Sequence, residues 1–258
     1  MILIRRLLLV LLSGSTALAA ESEKSNRKGR FLAVGDSPPY AQVVEGGIAR
    51  ELEPPADSVP PRQLAALNPA ADAGTENSTL ELRLGRITSA VKVPLGEGTI
   101  VLRGMNGNAE SPAWLTMKRP PEGDFLALLW RKPGAKTWES PASLIVPDGT
   151  RGAPVGSVAI TNLFPAAVGI QWGGKYQILK PGINHIEQLA TGAVVPFRIE
   201  GTDQSGGRKR YFSSTISRND NERTRVIIYR ADGESPRRPL QVLVLREVVE
   251  PETAKPQP

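Results

Sequence analysis

Ala167–Lys180 reads AVGIQWGGKYQILK. Two runs of strand-forming residues flank Gly173-Gly174, and paired glycines supply the positive φ that a tight primed turn demands. A two-residue loop fixes the register of the hairpin. It places Trp172 opposite Lys175, Ile170 opposite Gln177 and Val168 opposite Leu179, with the indole expected to cover the lysine stem.

The same grammar extends in both directions. Short apolar or alternating runs recur at Phe31–Val34, Leu80–Leu84, Ile87–Val93, Thr99–Arg103, Asp124–Arg131, Ser143–Val146 and Ser157–Thr161. They continue at Val194–Glu200, Arg210–Ser217, Thr224–Arg230 and Leu240–Arg246, and turn residues separate nearly all of them. The chain holds 25 glycines and 23 prolines among 258 residues, which leaves little room for long helices. The pattern predicts an all-β fold of antiparallel sandwich units. Phe125–Trp130 is apolar on both faces and reads as a central strand, and so do Val226–Tyr229 and Leu243–Leu245. Arg210–Ser217 reads as an edge strand. The one helical candidate is Pro61–Leu67, inside the Pro/Ala-rich stretch 53–78.

The two halves echo each other. A shift of 127 lays Phe31–Val34 on Val158–Thr161 and Gly46-Gly47 on Gly173-Gly174. A shift of 97–99 lays Leu128–Arg131 on Ile227–Arg230 and Leu144–Val146 on Leu243–Leu245. The stretch 53–78 accounts for the difference as an insertion. This predicts internal duplication, with one unit over 29–150 and a second over 155–248.

Arg5-Arg6, the apolar run Leu7–Leu12 and the small residues of Ala17-Leu18-Ala19 form a secretory signal over 1–19. The apolar run is far short of the ~20 residues that span a bilayer. The expected product is exported to the periplasm or beyond, is soluble, has no lipid anchor and is not stably inserted in a membrane. The polar segments 20–28 and 249–258 read as disordered tails. There is no cysteine, which excludes disulfides, thiol nucleophiles and thiolate metal sites. Removing Arg5 and Arg6 from the 32 basic residues leaves 30 against 26 acidic ones, an excess too mild to argue for nucleic acid.

Gly156–Pro165, the Gly173-Gly174 hairpin and Lys180-Pro181-Gly182 are similar to the small Ig-like sandwich domains of uncharacterised exported bacterial proteins. The resemblance implies fold and export, and brings no chemistry with it.

Two constellations bear on function. Gly35-Asp36-Ser37 follows a strand-like run and resembles the nucleophile block of the GDSL, or SGNH, esterases. That resemblance implies Ser37 as nucleophile, His185 as base and Asn106 as oxyanion donor. Gly107 and Gly182 stand where the family carries aspartates, so the base lacks its orienting carboxylate. The residues favour a strand-ending turn, and neither a catalytic site nor a metal or other cofactor is expected. The second constellation is basic. Arg208-Lys209-Arg210 opens a strand and Arg237-Arg238 lies in the loop before Leu240. As neighbours they would bind an acidic glycan or another anionic envelope component. Apart, they would be edge-strand charges that block aggregation. The expectation is a non-catalytic exported protein of the cell envelope, structural or partner-binding, with those five residues as its candidate ligand site.

Overall fold

The computed structural model describes residues 27–38, 42–67, 78–105, 112–202, 206–232, 236 and 238–249. Strands run β1 (Arg27–Val34), β2 (Gln42–Glu45), β3 (Ile48–Glu51), β4 (Gln63–Leu67), β5 (Ser78–Glu81) and β6 (Val91–Val93). They continue as β7 (Gly98–Gly104), β8 (Leu115–Arg119), β9 (Phe125–Trp130) and β10 (Ala142–Pro147). A single helical turn, Gly149–Gly152, leads into β11 (Ser157–Asn162), β12 (Val168–Trp172), β13 (Lys175–Leu179) and β14 (Asn184–Gln188). The last four are β15 (Val194–Thr202), β16 (Arg208–Ser217), β17 (Glu222–Arg230) and β18 (Leu240–Val248). No helix among the described residues is long and apolar enough to cross a membrane.

The fold is an all-β sandwich architecture. The first sandwich stacks the sheet β10-β9-β1-β6 on the sheet β5-β4-β7-β8. The second stacks β18-β17-β11-β14 on β13-β12-β15-β16. Both therefore show one strand order, with β1, β4–β10 and β11–β18 in equivalent places. Pairing is antiparallel except for β1 with β9 and β11 with β17, which run parallel. The hairpin β2–β3 stands apart as a two-stranded ribbon closed by Gly46-Gly47.

Side chains alternate between the two faces of a strand. On β1, Phe31 and Ala33 enter the first sandwich core, while Leu32 and Val34 point the other way. On β17, Val226 and Ile228 enter the second core, while Ile227 points the other way. These outward faces meet. Leu32, Val34, Leu126, Leu128 and Val146 of one sheet pack with Leu163 and Ile227 of the other in a third core. We call this contact the seam. The two inner sheets lie back to back, so the molecule is four sheets deep.

The seam explains the two-sided apolarity of Phe125–Trp130 and Val226–Ile228, both of which are central strands. It also corrects the reading of Leu243–Leu245. β18 is the outermost strand of its sheet; Leu243 and Leu245 look apolar because they cover the seam, while Val244 is exposed. The hairpin β12–β13 has the expected register at all three pairs. Its indole, on the strand position paired with Lys175, is buried and meets Phe197 edge-on, ring centroids 5.5 Å apart. β16 is an outer strand, as read.

Three further expectations are corrected. Pro61–Leu67 is not helical. Two turns hold poorly alone, and Gln63–Leu67 instead pairs with both β5 and β7, with Leu64 fully buried. The Gly46-Gly47 turn does not occupy the place of Gly173-Gly174, because β4 and β5 hold that place in the first sandwich. The N-terminal tail does not extend to residue 28, since Arg27 and Lys28 pair with Val93 and Lys92. Residues 1–26 and 250–258 lie outside the described residues.

Leu128 is fully buried at the seam. Leu128→Ala is expected to cost about 2–5 kcal/mol in urea unfolding, against about 0.5 kcal/mol or less for Ile178→Ala on the exposed face of β13.

Candidate functional site

The seam changes character along its length because three strands carry a graded sequence. β1 presents Arg30, Leu32 and Val34, and the chain then reaches Asp36. β17 presents Arg223, Arg225, Ile227 and Tyr229, and β18 presents Glu247, Leu245 and Leu243. One end is ionic, the middle apolar and the far end polar.

At the ionic end, three arginines surround two carboxylates. Arg30 donates from Nε to Asp148 at 2.6 Å and also pairs with Glu247. Arg225 donates from Nε to Glu247 at 2.7 Å and also pairs with Asp148. Arg223 reaches Glu247 at 3.1 Å and donates to the Gly149 and Ala153 carbonyls, each at 3.2 Å. Burial by itself would raise both carboxyl groups. The Arg30 hydrogen bonds and the charges of Arg30 and Arg225, joined at Asp148 by Arg223, outweigh it and hold both below their usual range. The Arg30 guanidinium is likewise disfavoured by burial but raised overall by Asp148 and Glu247.

The polar end is a clasp. The Asp36 N–H donates to Asp232 Oδ2 at 2.8 Å, and the Asp232 N–H donates to Asp36 Oδ2 at 2.9 Å. The Tyr229 hydroxyl donates to Asp36 Oδ1 at 3.0 Å, and Arg131 pairs with Asp232 at 2.6 Å. Burial, with the Asp36 charge beside it, pushes the Tyr229 phenol well above its ordinary value, so it stays a donor. β1, β9, β11 and β17 all end here, and beyond the clasp the sheets leave a cleft of about 610 Å³. Trp130, Arg131, Leu163 and Asp232 line it.

A second cavity of about 710 Å³ adjoins the first, since Asp36 and Ala231 border both. Lys209, Arg210, Tyr211, Arg238 and Gln241 line it. The two basic clusters are therefore neighbours. Lys209 lies over the Tyr211 ring, 5.7 Å from its centroid. Arg210 and Arg238 are exposed. Arg208 goes elsewhere: it pairs with Glu200 at 2.6 Å and stacks 4.5 Å over Tyr176. Its side chain is occupied and outside this groove, a correction set by the partners that hold it, Glu200 and Tyr176. Arg237 lies outside the described residues.

The esterase constellation is not assembled. Ser37 borders the cleft, whereas His185 sits on the outer strand β14, separated from β17 by β11 and hydrogen-bonded to Glu187 at 2.9 Å. Asn106 lies outside the described residues. Among the described residues, no three His, Asp or Glu side chains converge into a set that could hold a metal ion.

No protein-family model and no curated protein matches this chain. The site is therefore read from its own geometry. Sequence reading passed over the ionic cluster and the cleft. The signal for the cluster was present in Arg223-x-Arg225-x-Ile227, charges on the second face of an otherwise buried strand.

The depressed carboxylates carry a pH signature. A carboxyl held low in the folded state stabilises it above its unfolded value, about 4, and that stabilisation disappears as pH falls through the folded value. Unfolding midpoints should be level between about pH 5 and 7 and should drop below about pH 4. Asp148→Asn should cost about 3–5 kcal/mol at pH 7, because three arginines then face one carboxylate, and should flatten the acid drop measured in urea titrations.

Proposed function

We propose that this chain is an exported, non-catalytic module of the bacterial cell envelope that binds an acidic glycan or similar polyanion through Lys209, Arg210 and Arg238. The supporting observation is convergence. Lys209 and Arg210 come from β16, Arg238 comes from the segment before β18, and all three border one cavity. Edge protection accounts for basic residues on an outer strand, but not for an arginine brought to the same hollow from a different segment. Among the described residues, neither Arg210 nor Arg238 has a carboxylate partner, so their charge is available to a ligand. Tyr211 and Gln241 add a ring face and an amide, a mixture suited to sugars. Export rests on the signal over residues 1–19. We read the two sandwiches as Ig-like units that arose by duplication, a reading supported by their common strand order, and the basic residues of the groove come from the second.

The protein lacking residues 1–19 should be retained on immobilised heparin, a sulfated polyanion, in low salt, and should elute over a narrow salt range. Arg210→Ala combined with Arg238→Ala should weaken binding at least tenfold, since each lost charge-assisted contact is worth about 1.5 kcal/mol or more. Lys92→Ala with Lys118→Ala, which removes the same charge elsewhere, should have a much smaller effect. Passage of the wild-type protein through the column in low salt would contradict the proposal.

A further inference from the structure

The cleft beside the groove is a built polar site with an apolar wall. Its two carboxylates are already engaged. Asp36 accepts from Tyr229 and from the Asp232 N–H, and Asp232 accepts from the Asp36 N–H while pairing with Arg131. Arg131 donates from Nη1 to the Lys136 carbonyl at 2.9 Å, yet its Nε is buried without a partner. The Ser58 hydroxyl, also in the lining, is likewise buried without a partner. Buried donors without a partner call for an explanation, and these two lie together in the lining of one cleft. Trp130, Leu163 and Pro165 form the apolar part of the lining, and the exposed Arg230 stands at the rim.

We propose that this cleft is a sugar-ring subsite and that it takes a uronic acid residue of an acidic polysaccharide. This deepens the reading of the neighbouring groove and rests on it. A pyranose presents a C–H face that suits an aromatic and proline wall. Its carboxylate matches the exposed Arg230 charge, with the Arg131 and Ser58 donors lying in the wall behind. A bare phosphate chain would use the cations but leave the apolar wall unmatched. Because Asp36 and Ala231 border both cavities, a chain of such residues passes from the cleft into the groove, where Lys209, Arg210 and Arg238 meet its further carboxylates.

The test is isothermal titration of the protein lacking residues 1–19 with two probes, a galacturonic acid oligosaccharide and inorganic polyphosphate of similar charge. The wild-type protein should prefer the oligosaccharide by tenfold or more. Trp130→Leu should lower that preference at least threefold while leaving polyphosphate binding unchanged, with thermal melting confirming that the variant folds. Arg210→Ala with Arg238→Ala should weaken both probes together. Equal affinity for the two probes, or a preference untouched by Trp130→Leu, overturns the subsite and leaves the groove standing. Oligosaccharide binding insensitive to Arg210 and Arg238 overturns the groove alone, and failure of the wild-type protein to bind either probe overturns both.

Discussion

Period-two alternation forces β1, β9 and β17 to hide two faces each, and only a second sheet can cover the outer one. That constraint produces the seam. A single sandwich would leave Leu32, Leu126, Leu128 and Ile227 in water, a continuous apolar patch that a lone soluble domain rarely tolerates. Bringing the inner sheets back to back removes that patch. Pairing at the ends then sets how they lie. Burying Arg30, Arg223, Arg225, Asp148 and Glu247 adds little net stability, because desolvation offsets attraction. What such a cluster does supply is discrimination: a slipped arrangement of the sheets would strand charges in an apolar layer.

The far end of the seam follows from the same alternation. Where β1, β9, β11 and β17 finish, the side chains that would have continued the apolar strip give way to Asp36, Trp130, Arg131 and Asp232. The clasp between the two aspartates ties the strand ends together, and the space beyond it becomes the cleft. The groove adjoins because the segments before and after β18's start and the first residues of β16 pass over the same end. The cleft and the groove are in this sense by-products of how two sandwiches are joined, with strand ends forming their walls.

Sequence alone revealed most of the strands and little of the site. The β12–β13 register was legible because Gly-Gly between alternating runs admits one tight turn. The burial of Phe125–Trp130 was legible because neither face carries a charge. Leu243–Leu245 misled because apolarity on both faces was ascribed to flanking strands when a facing sheet supplied the cover on one side. Pro61–Leu67 misled because its local helical preference is weak and the gap between β5 and β7 offers ladder bonds on both sides. The basic clusters stood out as charge runs, but that Arg208 leaves the groove while Arg238 enters it depends on register and loop path. The cleft was hidden altogether, since its residues come from segments as distant as Asp36, Ser58, Arg131 and Asp232 and no short motif joins them.

Native-state hydrogen exchange tests the seam most directly, because strands buried on both faces open only when the facing sheets part. Amides of β9 in the first sandwich and β17 in the second should fall into one slowest-exchanging class, with the same opening free energy and the same denaturant dependence. Two separate classes, with β17 amides opening at a lower free energy than β9 and independently of it, would show that the sandwiches are not locked together and would contradict the account.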